Sequence, residues 1–141
     1  MNQQPGALAR PALRLTHDGA WRLISAAENA ARAMGVPQCL AVVDEGCNLV
    51  AFLRMDGARV LSIESAKAKA MTAAVTGQPT GSLPEGRGLE LALATGGRMT
   101  NLAGGLPILI EGQLVGGIGV GSGSGQQDRE IARAALAAVG L

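Results

Sequence analysis

AVVDEGCNLVAFLRMDGARVLSIESAKAKAMTAA, residues 41–74, is the stretch whose reading decides the fold. An apolar run from Cys39 to Val43 meets the turn residues Asp44-Glu45-Gly46-Cys47-Asn48. Leu49 to Arg54 then forms a return strand. Two short β-prone runs around an Asp/Gly/Asn cluster predict a hairpin. Ser62 follows as an expected N-cap, and an alanine-rich helix runs to about Thr76, where Gly77 and Pro79 stop it. Asp44 and Asn48 suit a turn in which side chains bond the local backbone. Arg54 and Asp56, at the hairpin's exit, either pair with each other or leave Arg54 free to clamp a carboxylate in bidentate fashion.

Upstream, Thr16 reads as the N-cap of a helix, with Asp18 in its first turn and an Asp18–Arg22 pair at i,i+4. Ala20, Ile24, Ala27, Ala31 and Met34 form one apolar stripe, and Gly35 and Pro37 end the helix. Residues 1–13 lack periodicity and carry Pro5, Gly6 and Pro11; a flexible tail is expected there, followed by one domain over 14–141.

Downstream, residues 77–105 are rich in Gly and Pro, with one short helical patch over Leu89–Ala94. Pro107 to Glu111 and Leu114 to Val120 predict a second hairpin. Ser124 with Gln127 makes a capping box for a last helix through Val139. Two antiparallel hairpins exclude a doubly wound parallel sheet and point to an α+β domain.

Composition narrows the function classes. The 141 residues carry a formal net charge of +1, which implies no strongly charged partner. Trp21 and Phe52 are the aromatic residues, too few for the stacking platforms of single-stranded nucleic-acid binders. No run of about 18 apolar residues is present, so no membrane span is expected. The first residues lack a continuous apolar segment of the secretory kind, and a cytoplasmic location is the default expectation. Cys39 and Cys47 are expected to be free thiols, because four strand residues at about 3.3 Å each would separate them.

Several groups carry chemistry in two readings each. GGIGVGSGSG, Gly116 to Gly125, holds neither a dinucleotide fingerprint nor a P-loop in register. It is either a small-residue strand that another backbone approaches closely or a donor of N–H groups to an anion. Gly104 and Gly105 read the same way. His17, the one histidine, is either a solvent-facing residue at a helix start or a nitrogen ligand for haem iron. Ser65, Lys69, Thr72 and Thr76 form a polar stripe along the second helix. Lys67, on the alanine-rich side, either snorkels to the surface or enters a pocket, and Lys69, amid hydroxyls, either anchors an anionic group or bonds a loop.

The stretches LTHDGAWRLISAAENAARAMGVP, AVVDEGCNLVAFLRMDGA, SIESAKAKAMTAA and GGLPILIEGQLVGGIGVGSGSGQQDREIARAAL together resemble the GlcG/HbpS-type family, which includes the C-terminal domain of PduO-type proteins. The string from Asp44 to Ala58 is specific, and so is Gly-Gly-x-Pro-Ile followed by Gly-x-Gly-Val and Gln-Asp. The resemblance implies a profilin-like α+β fold with a five-stranded antiparallel sheet flanked by helices, and a homo-oligomer. It implies a small-molecule ligand, haem or an anionic metabolite, with Arg54, Asp56, Lys69, Thr72, Gly104 and Gly105, all at family positions, as the candidate binding residues; His17, as the one histidine and not as a family position, is the candidate haem iron ligand. Asp44, Gly46, Met55, Ser62, Pro107, Gly119 and Asp128 also match family positions. Two places depart from the family pattern: Met71 stands where an aromatic is common, and Val120-Gly121-Ser122-Gly123 replaces the usual run before the last helix. The rival reading is an enzyme on a small carbonyl or carboxylate metabolite. In it Arg54 binds the carboxylate and Lys69 or Asp44 is the general acid or base.

Overall fold

The computed structural model describes residues 6–141; the first five residues of the expected tail lie outside them. Element order is α1 (His17–Met34), β1 (Cys39–Asp44), β2 (Leu49–Arg54), α2 (Ser62–Thr76), α3 (Arg87–Ala94), β3 (Gly105–Ile110), β4 (Gln113–Gly121) and α4 (Gly125–Ala138). The sheet runs β2-β1-β4-β3 with every neighbouring pair antiparallel. Among the described residues it has four strands, not five. The Gly/Pro-rich segment between α2 and β3 forms α3 and turns and contributes no strand.

Side-chain alternation splits the sheet into two unlike faces. Leu40, Val42, Ile118 and Val120 point to the face covered by α1 and α4, where Leu23, Ile24, Ile131 and Ala135 complete the larger core. Cys39, Ala41 and Val43 point the other way, toward Ala66, Ala70 and Ala74 of α2. On that second face β4 presents Gly117, Gly119 and Gly121, in register with Val43, Ala41 and Cys39. A Cβ on Gly117 would collide with the Ala70 carbonyl oxygen, and one on Gly119 with that of Ala66. The glycine tract is therefore a bare strand on which an alanine-faced helix lies backbone to backbone, and the anion-loop reading does not apply to residues 116–121. Gly105 repeats the device on β3: its Cβ would strike the Lys69 carbonyl.

The caps explain where the helices begin. Thr16 accepts from the Gly19 N–H at 3.0 Å, and Gly35 closes α1 in the left-handed region. Asp18 lies beside His17 at 3.6 Å instead of pairing with Arg22. Met34, at the end of the expected stripe, is exposed. α4 starts with a complete Ser124/Gln127 capping box. At α2 the expected Ser62 cap gives way to Leu61, which has no capping side chain. The N–H groups of Ser62, Ile63 and Glu64 instead reach back to the carbonyls of Arg59, Val60 and Leu61. Ahead of α1, the Leu13 N–H donates to Gln113 Oε1 at 3.1 Å, tying the approach segment to the second hairpin.

Candidate functional site

Lys69 lies one residue short of the Ala70 contact and turns its side chain toward the end of the sheet, between α2 and α4. Its ammonium donates to the Val120 carbonyl at 2.8 Å and to Asp128 Oδ2 at 2.9 Å. Both residues are buried, Lys69 at 4% and Asp128 at 1% exposure, so neither charge is screened by water. Asp128 Oδ1 accepts from the Gly123 N–H at 3.0 Å, which also reaches Gln38 Oε1 at 3.0 Å. The result is a buried polar chain, Lys69–Asp128–Gly123–Gln38, that joins α2, α4 and the start of β1. Gly104 closes it from above: its φ of 126° requires glycine, and a Cβ there would lie 3.1 Å from Lys69 Nζ and 2.8 Å from Asp128 Cβ.

This network backs a cleft of about 220 Å³. Arg59, Ser62, Ser65 and Ser122 line its mouth, with Gly123 and Gly125 from the start of α4. Ser122 holds the mouth together by accepting the Arg59 N–H at 2.9 Å.

The other expected residues distribute as follows. Arg54 pairs with Cys39, which pairs with Gly121, so Arg54 shares the face and sheet end of the Lys69 cleft two strands away, about 10 Å at ordinary strand spacing. Asp56 is exposed in the turn that follows. Thr72 is buried; its hydroxyl donates to the Ala68 carbonyl at 2.7 Å and accepts the Thr100 N–H at 3.0 Å, pinning the loop before β3. Gly105 exchanges hydrogen bonds with Thr80. Asp44 sits at the opposite end of β1 from the Arg54 row, about 16 Å away at five strand steps. Its carboxylate accepts from the Gly46 N–H, the Asn48 N–H and Asn48 Nδ2, bracing the turn. His17 belongs to α1, on the sheet face away from Lys69 and Arg54. Lys69, Arg54, Gly104 and Gly105 are thus brought to one region, and Asp44 and His17 are not.

His17 is fully solvent-facing, with 86% of its side chain exposed and Asp18 as its near neighbour. One turn on, Trp21 is 53% exposed, an unusual position for the chain's only tryptophan. Residues at i and i+4 share a helix face, so His17 and Trp21 emerge from the same side of α1. Trp21, Arg59 and Ser122 carry no expectation from the sequence, and Asp128 is expected there only as a match to a family position. An exposed tryptophan four residues from a lone histidine was the available signal for the first. Nothing local signals the others.

The model of the family described as "Haem degrading protein HbpS-like" matches residues 15–137. The chain belongs to the HbpS-like family. A 15.0 kDa protein of Citrobacter freundii, encoded between dhaT and dhaS, is 35% identical over 127 residues, covering 86% of this chain and 89% of that protein. Among solved structures, a double mutant of HbpS from Streptomyces reticuli is 35% identical with a TM-score of 0.84, covering 100% of this chain and 97% of that one. A PduOC:heme complex is 29% identical with a TM-score of 0.80, covering 91% of this chain and 96% of that one. The HbpS-like assignment accounts for the α+β fold with its antiparallel sheet. Among the described residues, no helix is long and apolar enough to cross a membrane.

Both HbpS-like cysteines are free. Burial pushes the Cys39 thiol above its ordinary range, against an opposing pull from Arg54. The Cys47 thiol is raised too, first by burial and then by Asp44, with Arg98 opposing.

Proposed function

We propose that this HbpS-like chain is a small-molecule-binding protein that holds haem on the exposed face of α1, with His17 as the iron ligand. The observation that carries the reading is an exposed imidazole and an exposed indole on one face of α1. Apart from Asp18, His17 has no internal partner among the described residues, so a ring nitrogen is available. Trp21 offers a large apolar surface to a flat macrocycle. Arg14 and Arg22 flank the pair in sequence and are exposed, which suits two carboxylates. The donor set therefore fits haem, whose iron would supply the redox chemistry when bound. The chain's own contribution is to ligate, orient and shield. The haem complex of a relative with a TM-score of 0.80 supports the same ligand class.

A surface site of this kind is completed by a second protein surface. Elsewhere on the chain, Leu61, Val75, Leu89, Leu93 and Leu102 are exposed by more than half and offer apolar side chains to a further subunit contact. A homo-oligomer working in the cytoplasm is the corresponding reading. The enzymatic alternative, with Arg54, Lys69 and Asp44 acting together, finds less support, since Asp44 is spent on its turn and Lys69 on Asp128. The test is a haem titration followed by absorbance. A saturating Soret band at one haem per chain, or per fixed number of chains, is expected; no spectral change would remove the reading.

A further inference from the structure

We infer that the cleft between the starts of α2 and α4 is a second ligand site, independent of haem, that binds a compact oxyanion, a carboxylate or a phosphate. Net charge and unspent donors both mark this cleft. Asp128 is the one acidic group lining the cleft, and Lys69 neutralises it at 2.9 Å. That leaves Arg59 at the mouth, with no carboxylate within ion-pair distance among the described residues. The cleft therefore carries one net positive charge.

Its donors outnumber its acceptors. An ammonium has three N–H donors. Lys69 directs two of them at Val120 and Asp128, and the third has no acceptor among the described residues although the side chain is buried. Ser122 Oγ accepts from the Arg59 N–H, so its own proton is free to donate outward. Gly125 is the first residue of α4, and its N–H, unlike those of Gln127 and Asp128, which Ser124 accepts, has no acceptor among the described residues. A buried donor without an acceptor is costly. The Lys69 ammonium, the Arg59 side chain and the Ser122 hydroxyl around a volume of about 220 Å³ fit one small oxyanion and its first waters.

Phosphate and acetate, titrated separately against isotopically labelled full-length protein, serve as probes, with chloride at equal ionic strength as the control. Saturable amide shifts at Gly123, Gly125 and Ser62 are expected with at least one probe. Acetate alone saturating assigns a carboxylate, and phosphate alone assigns a phosphate. Arg59→Ala, a surface change that leaves the buried pair intact, should raise Kd by about tenfold or more, as for loss of a charge-assisted hydrogen bond. Arg59→Lys should fall between. His17→Ala should leave these shifts unchanged, which separates this site from the haem reading. Shifts that chloride reproduces, or an Arg59→Ala protein with unchanged Kd, would overturn the assignment.

Discussion

Lys69 Nζ lies 2.9 Å from Asp128 Oδ2 across 59 residues of chain, and the pair is buried at the junction of α2, α4 and the end of β4. Removing one partner leaves an uncompensated buried charge. Lys69→Ala or Asp128→Ala should therefore each lose about 3–5 kcal/mol of stability. The double change Lys69→Met with Asp128→Leu should recover most of that loss, because it removes both desolvation costs. Urea unfolding of the three variants checks this; single variants within 0.5 kcal/mol of the parent would contradict it.

That pair also marks the limit of what the sequence discloses. Local signals located nearly every element: Thr16 and Gly35 bounded α1, Asp44 to Asn48 made the first turn, and the Ser124/Gln127 box opened α4. Each works over four residues or fewer, so each is written in the local order of side chains. The partner of Lys69 is chosen by how α4 returns over the sheet, and no spacing rule reaches that far. For the same reason nothing in the chain placed His17 and Lys69 on opposite faces of the sheet. The start of α2 failed locally instead: Ser62 looked like a cap, but the turn over Arg59–Leu61 already supplies carbonyls to the first N–H groups. The strand count came from resemblance, and the segment between α2 and β3 folds as α3 and turns.

The bare strand under α2 leads to a second expectation. Gly119→Ala inserts a methyl where the Ala66 carbonyl stands, and Gly117→Ala one where the Ala70 carbonyl stands. Neither obstacle is a flexible side-chain end, so α2 must move off the sheet. Overpacking of this kind costs about 1–3 kcal/mol or more. Leu93→Ala, at a position 77% exposed, should shift stability little and serves as the control. Thermal unfolding of the three proteins reads the difference.

The α4 cap gives a smaller effect. Ser124→Ala removes the acceptor for the Gln127 N–H and should cost about 1 kcal/mol. Ser124→Asp keeps an acceptor at the helix start and should lose little. Equal losses in both would contradict the cap's role.

Thiol chemistry supplies a pH-dependent test. The reactive form is the thiolate, and burial holds both cysteines above the ordinary thiol range. At pH 8 both should react with a disulfide reagent more slowly than a free thiol, with rates climbing as pH rises past the ordinary value of 9.0. Arg98 lowers the Cys47 value, so Arg98→Ala should raise it further and slow Cys47 again at fixed pH. A faster Cys47 in that variant would reverse the sign of the account.

The most direct test of the central claim is haem titration of the parent and His17→Ala proteins, read by the Soret band and by fluorescence of Trp21. In the parent, the ligated-iron spectrum and quenching of Trp21 should saturate together, because the two side chains lie one helical turn apart. In His17→Ala, the ligated-iron spectrum should vanish and haem affinity should fall by more than the roughly 10–100-fold that loss of an outer-shell partner alone costs. A His17→Ala protein that binds haem with the parent's spectrum and affinity would contradict the assignment.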